Sequence, residues 1–358
     1  MKRLIILTDE ESEFLISKAN FKNFTSMDIN KIKEYFISKD YTIDICKFSE
    51  MDFCRDYKGV YFLYQTSEAP GSFYKRYIED IVYFFEQKGA IMLPPHKLLL
   101  AHHNKIFMEF LRTDFTDESL KTIKSWCYGS WIDAGNYDSG FPVVIKQTSS
   151  SGGAGVFLAT NRKEFNRKVR KAGKIIIADN LRRLFVSFIK MSAKKIVLYF
   201  SPWKSKFLKY DVTPLSTSLI IQTFIPGLQG DYKVLLFGDK YYMMYRKNRK
   251  HDFRASGSGN FFTVPENDHV GLLNFARRVS KEIDFPIIGM DIGFDGNKYH
   301  LLEFQVIHIG TSALHRSKYW HEFNDGKWIK FEGSSNLEEE FSRSIHGFIL
   351  KKNQKDQS

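Results

Sequence analysis

The sequence is poor in cysteine. Its 358 residues contain three cysteines, Cys46, Cys54 and Cys127, which are widely spaced and form no Cys-x-x-Cys pair. An odd number without paired spacing argues against a disulfide framework and against a zinc site. We therefore expect a protein of a reducing compartment and predict a cytoplasmic location.

Long apolar runs are also missing. The best candidate for a membrane span, residues 184–200, is interrupted by Lys190, Lys194 and Lys195, so we predict no transmembrane segment. The apolar run that follows Met1-Lys2-Arg3 ends at Asp9, which is too early for a signal peptide. We interpret it as the first core strand.

Acidic residues are scarce in one segment. Residues 162–209 hold 15 Lys and Arg residues but two acids, a balance of +13 in a chain whose net charge is +12. A charge this localised indicates an anionic partner, such as an acidic peptide or an anionic substrate. A solvated, lysine-rich helical face explains it equally well. We do not expect nucleic acid, since the aromatic residues among these basic side chains permit stacking without requiring it.

Strands and helices alternate over the first 113 residues, which predicts an open α/β domain with a parallel sheet. The strands are predicted at 3–8, 41–46 and 59–64, and the helices after Asp9, after an N-cap near Asp28, at 72–87 and at about 101–111. The helix after Asp9 would carry Phe14 and Leu15. Three further segments are predicted: a central lobe with a basic insertion (114–218), a C-terminal lobe (219–350) and a polar tail (351–358).

A Ser/Gly-rich loop follows a strand that ends at Lys146. The loop covers residues 147–155, and a second strand is predicted at 156–159. Glycine lets backbone N–H groups approach an anion closely, and the lysine supplies positive charge, so we predict a flap over phosphates. The loop does not match GxxxxGK[ST] and opens no helix, which excludes a Walker-type P-loop.

The stretch 289–305 predicts a hairpin that carries three oxygen-bearing side chains. Glu303 and Gln305 are two apart on a strand and so share a face, and a three-residue loop at 296–298 would place Asp291 opposite Glu303. Hard cations such as Mg²⁺ prefer oxygen ligands and often take one or two carboxylates together with substrate phosphates. A surface hairpin with incidental acids is the alternative.

These motifs, in this order, resemble the ATP-grasp ligases, in the branch with glutathione synthetase and the ribosomal-protein glutamate ligases. The resemblance covers nearly the whole chain and depends on six motifs. They are Pro142-Val143-Val144-Ile145-Lys146 with its loop, Ile221-Gln222-Thr223-Phe224-Ile225, Gly230-Asp231-Tyr232-Lys233-Val234, Asp252-Phe253-Arg254-Ala255-Ser256, Asp291, and Glu303-Phe304-Gln305. The resemblance implies an ATP-grasp fold, in which two α+β lobes that sandwich ATP follow an N-terminal open α/β domain.

The resemblance also implies a role for individual residues. Lys105, Lys146 and Arg254 would contact phosphates, with Lys146 and Arg254 the catalytic pair. Nucleotide contacts would also come from Ser151, Gly152 and Gly153 of the loop, from Gln222, Thr223, Phe224 and Ile225 around the adenine, and from Asp231 near the ribose. Asp291, Glu303 and Gln305 would hold Mg²⁺, with Mn²⁺ as a substitute.

The implied reaction is ATP-dependent joining of a carboxylate to an amine through an acyl phosphate. Substrates would be small molecules or peptides, and Ser256, His308, Gly310 and Thr311 are the candidate contacts. The chain departs from the family at Thr223, Lys233 and Gln305, and at residues 306–311, where Asn-x-x-Pro-Gly is usual, so the substrate pair is not carried over. His308 is either a substrate contact or a structural histidine. A kinase-type phosphotransferase and a non-catalytic nucleotide- or anion-binding protein remain alternatives, and homo-oligomerisation stays open.

Overall fold

The computed structural model describes residues 2–16, 25–67, 73–149, 155–173, 217–250, 252–254 and 260–355. The chain divides into two compact units. The first contains residues 1–123 and 225–358, and the second contains residues 124–224.

The first unit begins with a four-stranded parallel sheet. Its strands are β1 (Lys2–Thr8), β4 (Tyr41–Lys47), β5 (Tyr61–Tyr64) and β6 (Ile91–Leu93), in the order β4-β1-β5-β6, while β2 (Leu15–Ile16) and β3 (Thr25–Ser26) form a separate pair. The helices are α1 (Ile29–Ile37), α2 (Phe73–Gln87), α3 (His96–Ala101) and α4 (Lys105–Thr113). The open α/β arrangement predicted from the alternation is confirmed.

Two predicted helices of this region differ from the structure. The residues after Asp9 form a turn, because the Asp9 carboxylate accepts hydrogen bonds from the backbone N–H groups of Glu11 and Glu13. The predicted helix at 101–111 is divided, since the side chain of Asn104 accepts a hydrogen bond from the N–H of Phe107 and so caps a new helix, α4.

The second unit is built on an antiparallel sheet. Its elements are β7 (Ser125–Tyr128), α5 (Trp131–Ala134), β8 (Val143–Gln147), β9 (Val156–Ala159), α6 (Arg162–Gly173) and β10 (Leu219–Thr223), with the strand order β7-β10-β8-β9. Ile145, Phe165 and Ile221 are fully buried in its core. β8 and β9 pair on either side of the Ser/Gly-rich loop, as predicted.

The basic helix α6 is the described part of the positively charged segment. Arg162 lies over the Phe165 ring, Arg170 lies over Trp131, and Lys171 lies over Phe157. These cations therefore pack on aromatic faces of their own unit. Residues 174–209, which hold the rest of the charge, lie outside the described residues.

The C-terminal part of the first unit is a larger sheet with helices. Its elements are β11 (Gly230–Phe237), β12 (Lys240–Lys247), β13 (Phe261–Phe262), α7 (Glu266–Ile283), β14 (Ile287–Phe294), β15 (Tyr299–Gln305), α8 (Ser312–Arg316), β16 (Tyr319–Asn324), β17 (Lys327–Glu332) and α9 (Leu337–Lys355). The strand order is β15-β14-β11-β12-β16-β17, with β13 paired to β12. The sequence interpretation contained no β16–β17 hairpin. With both lobes present, the predicted mixed α/β and α+β class is confirmed.

Helix α9 joins the two sheets of the first unit. It packs against α1, and Glu338 accepts a hydrogen bond of 3.2 Å from the N–H of Asp28. It continues beyond the predicted end at Leu350, and Asn353 accepts a 2.7 Å hydrogen bond from the Tyr61 hydroxyl. Among the described helices, none is long and apolar enough to cross a membrane. All three cysteines are free thiols.

Candidate active site

The hairpin of β14 and β15 places Asp291 directly opposite Glu303, which confirms the predicted pairing. The structure reaches this register by a different route. The turn between the strands has four residues, 295–298, and a bulge at Leu302 takes up the extra residue. Because side chains alternate along a strand, the bulge returns Glu303 and Gln305 to the face that carries Asp291.

The turn of this hairpin is fixed by Asp295. One carboxylate oxygen accepts hydrogen bonds from the N–H groups of Asn297 (2.8 Å) and Lys298 (2.7 Å), and the other lies 2.9 Å from Nε2 of His300. His300 Nδ1 lies 2.8 Å from the Thr122 hydroxyl. The hydrogen bond to His300 holds the pKa of Asp295 well below its usual range. Thr122, His300 and Asp295 thus form a series of contacts that resembles a hydroxyl–histidine–carboxylate triad, which the sequence did not indicate. Because Asp295 also accepts hydrogen bonds from its own turn, these contacts stabilise the hairpin.

Asp291 lies in a network with two cations. Its Oδ2 is 2.7 Å from Nη2 of Arg246, and its Oδ1 is 3.2 Å from Nζ of Lys233. Arg246 also donates from Nε and Nη2 to the two oxygens of Asp231, at 2.7 and 2.8 Å. Strand β11 lies between β12 and β14. Asp231 is paired with Arg246 of β12, and Lys233 is paired with Asp291 of β14.

Glu303 is paired with Lys105, the first residue of helix α4. The Lys105 Nζ lies 3.3 Å from Oε1 of Glu303. Helix α4 runs along β15, the edge strand of the sheet, where the thioether of Met108 accepts the N–H of Phe304. We call Lys105, Asp231, Lys233, Arg246, Asp291 and Glu303 the charged cluster. It contains three cations and three anions and therefore carries no net charge.

The two internal cations keep Asp291 ionised. Burial alone would raise its pKa, but the charges of Arg246 and Lys233 outweigh burial and hold the pKa of Asp291 well below its usual range. For Arg246 burial acts in the opposite direction, and the charges of Asp291 and Asp231 outweigh it and raise the pKa of the guanidinium. The carboxylate of Asp291 is thus an anion over the whole physiological pH range.

The predicted trio has the donor chemistry of a magnesium or manganese site. Asp291 Oδ1 is buried, and in the described part of the chain it is contacted by the ammonium of Lys233 at 3.2 Å. Glu303 and Gln305 are both partly exposed. The described residues hold no group of three or more His, Cys, Asp or Glu side chains that suits a metal ion. Two carboxylates and an amide are oxygen donors of the kind that Mg²⁺ or Mn²⁺ takes together with phosphate oxygens.

The residues predicted to bind the nucleotide base lie on and after β10. The buried side chain of Gln222 donates to the hydroxyl of Ser125 at 3.0 Å. The N–H of Thr223 donates to the carbonyl of Lys124, and the N–H of Phe224 donates to the carbonyl of Pro142. These two N–H groups are committed within the protein, so an adenine would need other backbone atoms here.

The residues predicted to bind phosphate and ribose differ in exposure. Lys146 is half-buried in β8. Arg254 is 28% exposed and makes a 2.6 Å ion pair with Asp252, whose hydrogen bond raises the pKa of the guanidinium. Asp231 is 5% exposed and held by Arg246, so the structure places it in a buried pair. Ser151, Gly152, Gly153 and Ser256 lie outside the described residues.

The candidate substrate residues follow β15. His308 is buried, and its N–H donates to the side chain of Gln65 while its Nε2 lies 2.9 Å from the carbonyl of Thr66. These contacts tie the segment to the end of β5. Thr311 is fully buried at the start of α8. Gly310 lies beside the charged cluster, since a Cβ built on it would be 3.9 Å from Cε of Lys233.

Arg246 is the main residue that the sequence interpretation missed. The dipeptide Gly238-Asp239 is typical of a two-residue hairpin turn, and such a turn pairs Asp231 with Arg246, as the structure shows. Counting seven residues from each side of this turn leads to Asp231 on one strand and Arg246 on the other. Lys233 was noticed as a departure from the family pattern, but its contact with Asp291 depends on the β11–β14 pairing, which joins distant parts of the sequence.

No protein-family model and no curated protein matches this chain. Among solved structures it is similar to the D-cycloserine synthetase DcsG, with 11% identity, a TM-score of 0.48, and coverage of 96% of this chain and 98% of that one. It is also similar to a D-alanine–D-alanine ligase from Bacillus anthracis, with 12% identity, a TM-score of 0.48 and full coverage of both chains. A third is a RimK-domain ATP-grasp protein from Sphaerobacter thermophilus, with 9% identity, a TM-score of 0.42, and coverage of 86% and 91%.

These solved structures include an ATP-grasp protein and ligases, in agreement with the resemblance to ATP-grasp ligases noted in the sequence. At these identities, and at TM-scores below 0.5, the likeness carries no argument about the reaction. The reaction is inferred from the residues of this chain alone.

Proposed function

We propose that this protein is an ATP- and Mg²⁺-dependent ligase that joins a carboxylate to an amine. The observation that supports this most directly is the pairing of Asp291 with Glu303 on one face of a hairpin, where Oδ1 of Asp291 is buried against the ammonium of Lys233. A pair of incidental surface acids would be exposed, whereas these two side chains are 17% and 29% exposed and are each matched by a lysine.

The residues have distinct roles in this proposal. Lys105, Lys146 and Arg254 bind phosphate oxygens, and Asp291, Glu303 and Gln305 hold the cation. A bound Mg²⁺ would neutralise charge on the transferred phosphoryl group. Phosphoryl transfer needs positioning and charge neutralisation more than a protein nucleophile, which suits a site made of cations and carboxylates.

The reaction has two steps. An oxygen of the substrate carboxylate attacks the γ-phosphorus of ATP, the bond to the β-γ bridging oxygen breaks, and ADP leaves. The amine nitrogen then attacks the acyl carbon, phosphate leaves with the bonding pair, and the nitrogen loses a proton to form the amide. The substrates we propose are a carboxylate and an amine that are small molecules or peptides, in a cytoplasmic protein.

Mass spectrometry of the products tests this function. The full chain is incubated with ATP, Mg²⁺ and pools of ¹⁸O-labelled carboxylates and amines. We expect ADP, a new amide, and inorganic phosphate that carries one ¹⁸O from the carboxylate. A phosphorylated product without an amide would indicate a phosphotransferase, and no consumption of ATP with any pool would indicate a binding protein.

A further inference from the structure

The charged cluster reaches neutrality through its own side chains. Asp291 is contacted by Lys233 at 3.2 Å and by Arg246 at 2.7 Å, and Glu303 is contacted by Lys105 at 3.3 Å. A divalent cation that approaches Asp291 alone therefore meets two positive charges at close range. At such distances in a partly buried site, repulsion between like charges is strong.

The two cations around Asp291 are held differently. Arg246 is anchored by both oxygens of Asp231, and its departure would leave a buried carboxylate without a partner. Lys233, by contrast, makes its ion pair with Asp291 alone in the described part of the chain. Lys233 is therefore the cation that can leave Asp291 at the smaller cost.

Space for Lys233 to move is provided by two glycines. A Cβ built on Gly289 would lie 3.3 Å from the Lys233 ammonium, and one built on Gly310 would lie 3.9 Å from its Cε. A Cβ at position 289 would crowd the ammonium, whereas one at position 310 would make ordinary van der Waals contact with the lysine side chain. The ammonium thus lies between Asp291 and the segment predicted to face the substrates.

We propose that Lys233 and Arg246 are internal counter-ions of Asp291 that couple the binding of the divalent cation to the binding of the nucleotide. This rests on the proposed function and deepens it. A cation alone would bring the neutral cluster to +2, whereas the phosphates that arrive with it restore the balance and give Lys233 a new anionic partner. The cation binds weakly by itself and tightly with nucleotide, and by linkage the cation strengthens nucleotide binding by the same factor.

The test measures binding, not turnover. Mn²⁺ is titrated into the full-length protein with and without a non-hydrolysable ATP analogue, and free Mn²⁺ is followed by electron paramagnetic resonance with correction for Mn²⁺ bound by free analogue. For the wild type we expect at least about tenfold tighter Mn²⁺ binding when the analogue is present. Equal affinity in both conditions would overturn the inference and leave the proposed function standing.

The variant Lys233→Met removes one counter-ion and keeps most of the side-chain volume. We expect Mn²⁺ alone to bind about tenfold more tightly than to the wild type, so the coupling factor falls. Lys298→Met removes an exposed lysine from the turn of the same hairpin and should leave both affinities within about twofold. If Lys233→Met retains the wild-type coupling, the inference is wrong.

Two further outcomes are informative. If Lys233→Met does not fold, as judged by its thermal melting curve, Lys233→Gln makes the same test with a polar side chain. If the wild type binds neither Mn²⁺ nor the analogue, the proposed function fails, and the inference that rests on it fails too.

Discussion

Asp231 and Arg246 face each other across the β11–β12 hairpin and form a two-pronged ion pair, with hydrogen bonds of 2.7 and 2.8 Å. The pair is nearly inaccessible to water, since Asp231 is 5% exposed. Its geometry fixes the guanidinium, which then reaches Asp291. A residue predicted from the family resemblance to lie near a ribose is thus placed where it orients a neighbour of the proposed cation site.

Breaking this pair should destabilise the protein. Arg246→Met would leave Asp231 buried without its partner, at a cost of about 3–5 kcal/mol in the free energy of unfolding. Urea denaturation followed by circular dichroism measures the change. The double variant Asp231→Leu/Arg246→Met should recover part of the loss, because no carboxylate remains at position 231, although Asp291 then keeps Lys233 as its counter-ion without Arg246. A double variant no more stable than Arg246→Met would contradict this explanation.

A second buried ion pair should be replaceable by apolar side chains without loss of stability. Arg112 is 2% exposed, lies 3.2 Å from Glu109, and has no hydrogen bond from any guanidinium nitrogen within the described residues. Replacing both side chains by apolar ones, as in Glu109→Leu/Arg112→Met, should be neutral or stabilise the protein by up to about 4 kcal/mol. Thermal melting measures this, and a lower melting temperature would show that the pair contributes to stability.

Glu303→Gln should impair the proposed reaction without unfolding the chain. Glu303 is partly exposed, and the amide keeps its shape but removes the charge that faces Lys105 and the proposed cation. We expect the rate of ADP release to fall about 100-fold or more. Glu332→Gln, on exposed strand β17 of the same sheet, is the matched control and should retain the wild-type rate. Unchanged turnover in Glu303→Gln would remove this residue from the cation site.

Lys146→Ala should weaken nucleotide binding in the second unit. Lys146 lies in β8, directly before the loop predicted to cover the phosphates, so its loss removes one charge-assisted contact. Isothermal titration calorimetry should show an affinity for ATP reduced about tenfold. Lys163→Ala, an exposed lysine on α6 of the same unit, should bind ATP as the wild type does. Equal affinities in the two variants would count against the phosphate flap.

Acidic pH should destabilise the C-terminal sheet through His321. Burial, with smaller contributions from His269 and Lys330, lowers the pKa of His321 to about 4, below the value of about 6.5 expected for the unfolded chain. The unfolded chain therefore binds more protons than the folded one between these values. The contribution of His321 is fully present above about pH 7, and about 2 kcal/mol is lost between pH 7.5 and pH 5.

The measurement is urea denaturation at several pH values in that range. His321→Gln should flatten the dependence on pH. Some slope will remain in the variant, because burial also lowers the pKa values of His96 and His346. A variant with the full wild-type slope would assign the effect to those histidines.

Local chemistry explains which features the sequence predicted. The sequence indicated that one hairpin joins Asp291 and Glu303, and their predicted pairing holds because the bulge at Leu302 offsets the one-residue error in the predicted turn length. The sequence also indicated the β8–β9 pair around the Ser/Gly-rich loop. In both cases the partners are close in sequence.

The features that were missed depend on contacts between distant segments or on competing local bonds. The Asp9 carboxylate accepts hydrogen bonds from the N–H groups of Glu11 and Glu13 and so stabilises a turn in place of the predicted start of a helix. Helix α4 buries Lys105, Glu109 and Arg112 on one face, because β15 brings Glu303 against that face. From the sequence alone, a face with these charged residues would be predicted to be exposed to solvent. Hydrophobic periodicity does not predict a buried face made of charged residues.

The hairpin can pair Asp291 with Glu303 with either of two turn lengths, depending on whether the bulge at Leu302 is present. In the structure a four-residue turn and the bulge together set Asp291 opposite Glu303, and a three-residue turn without a bulge would set the same residues opposite each other. The tip can therefore be rebuilt, or lose its brace to His300, while the carboxylates keep their places. Mutational variation should accordingly be tolerated from Asp295 to Lys298 far better than deletion of Phe304, which would move Gln305 to the opposite face of the strand from Glu303.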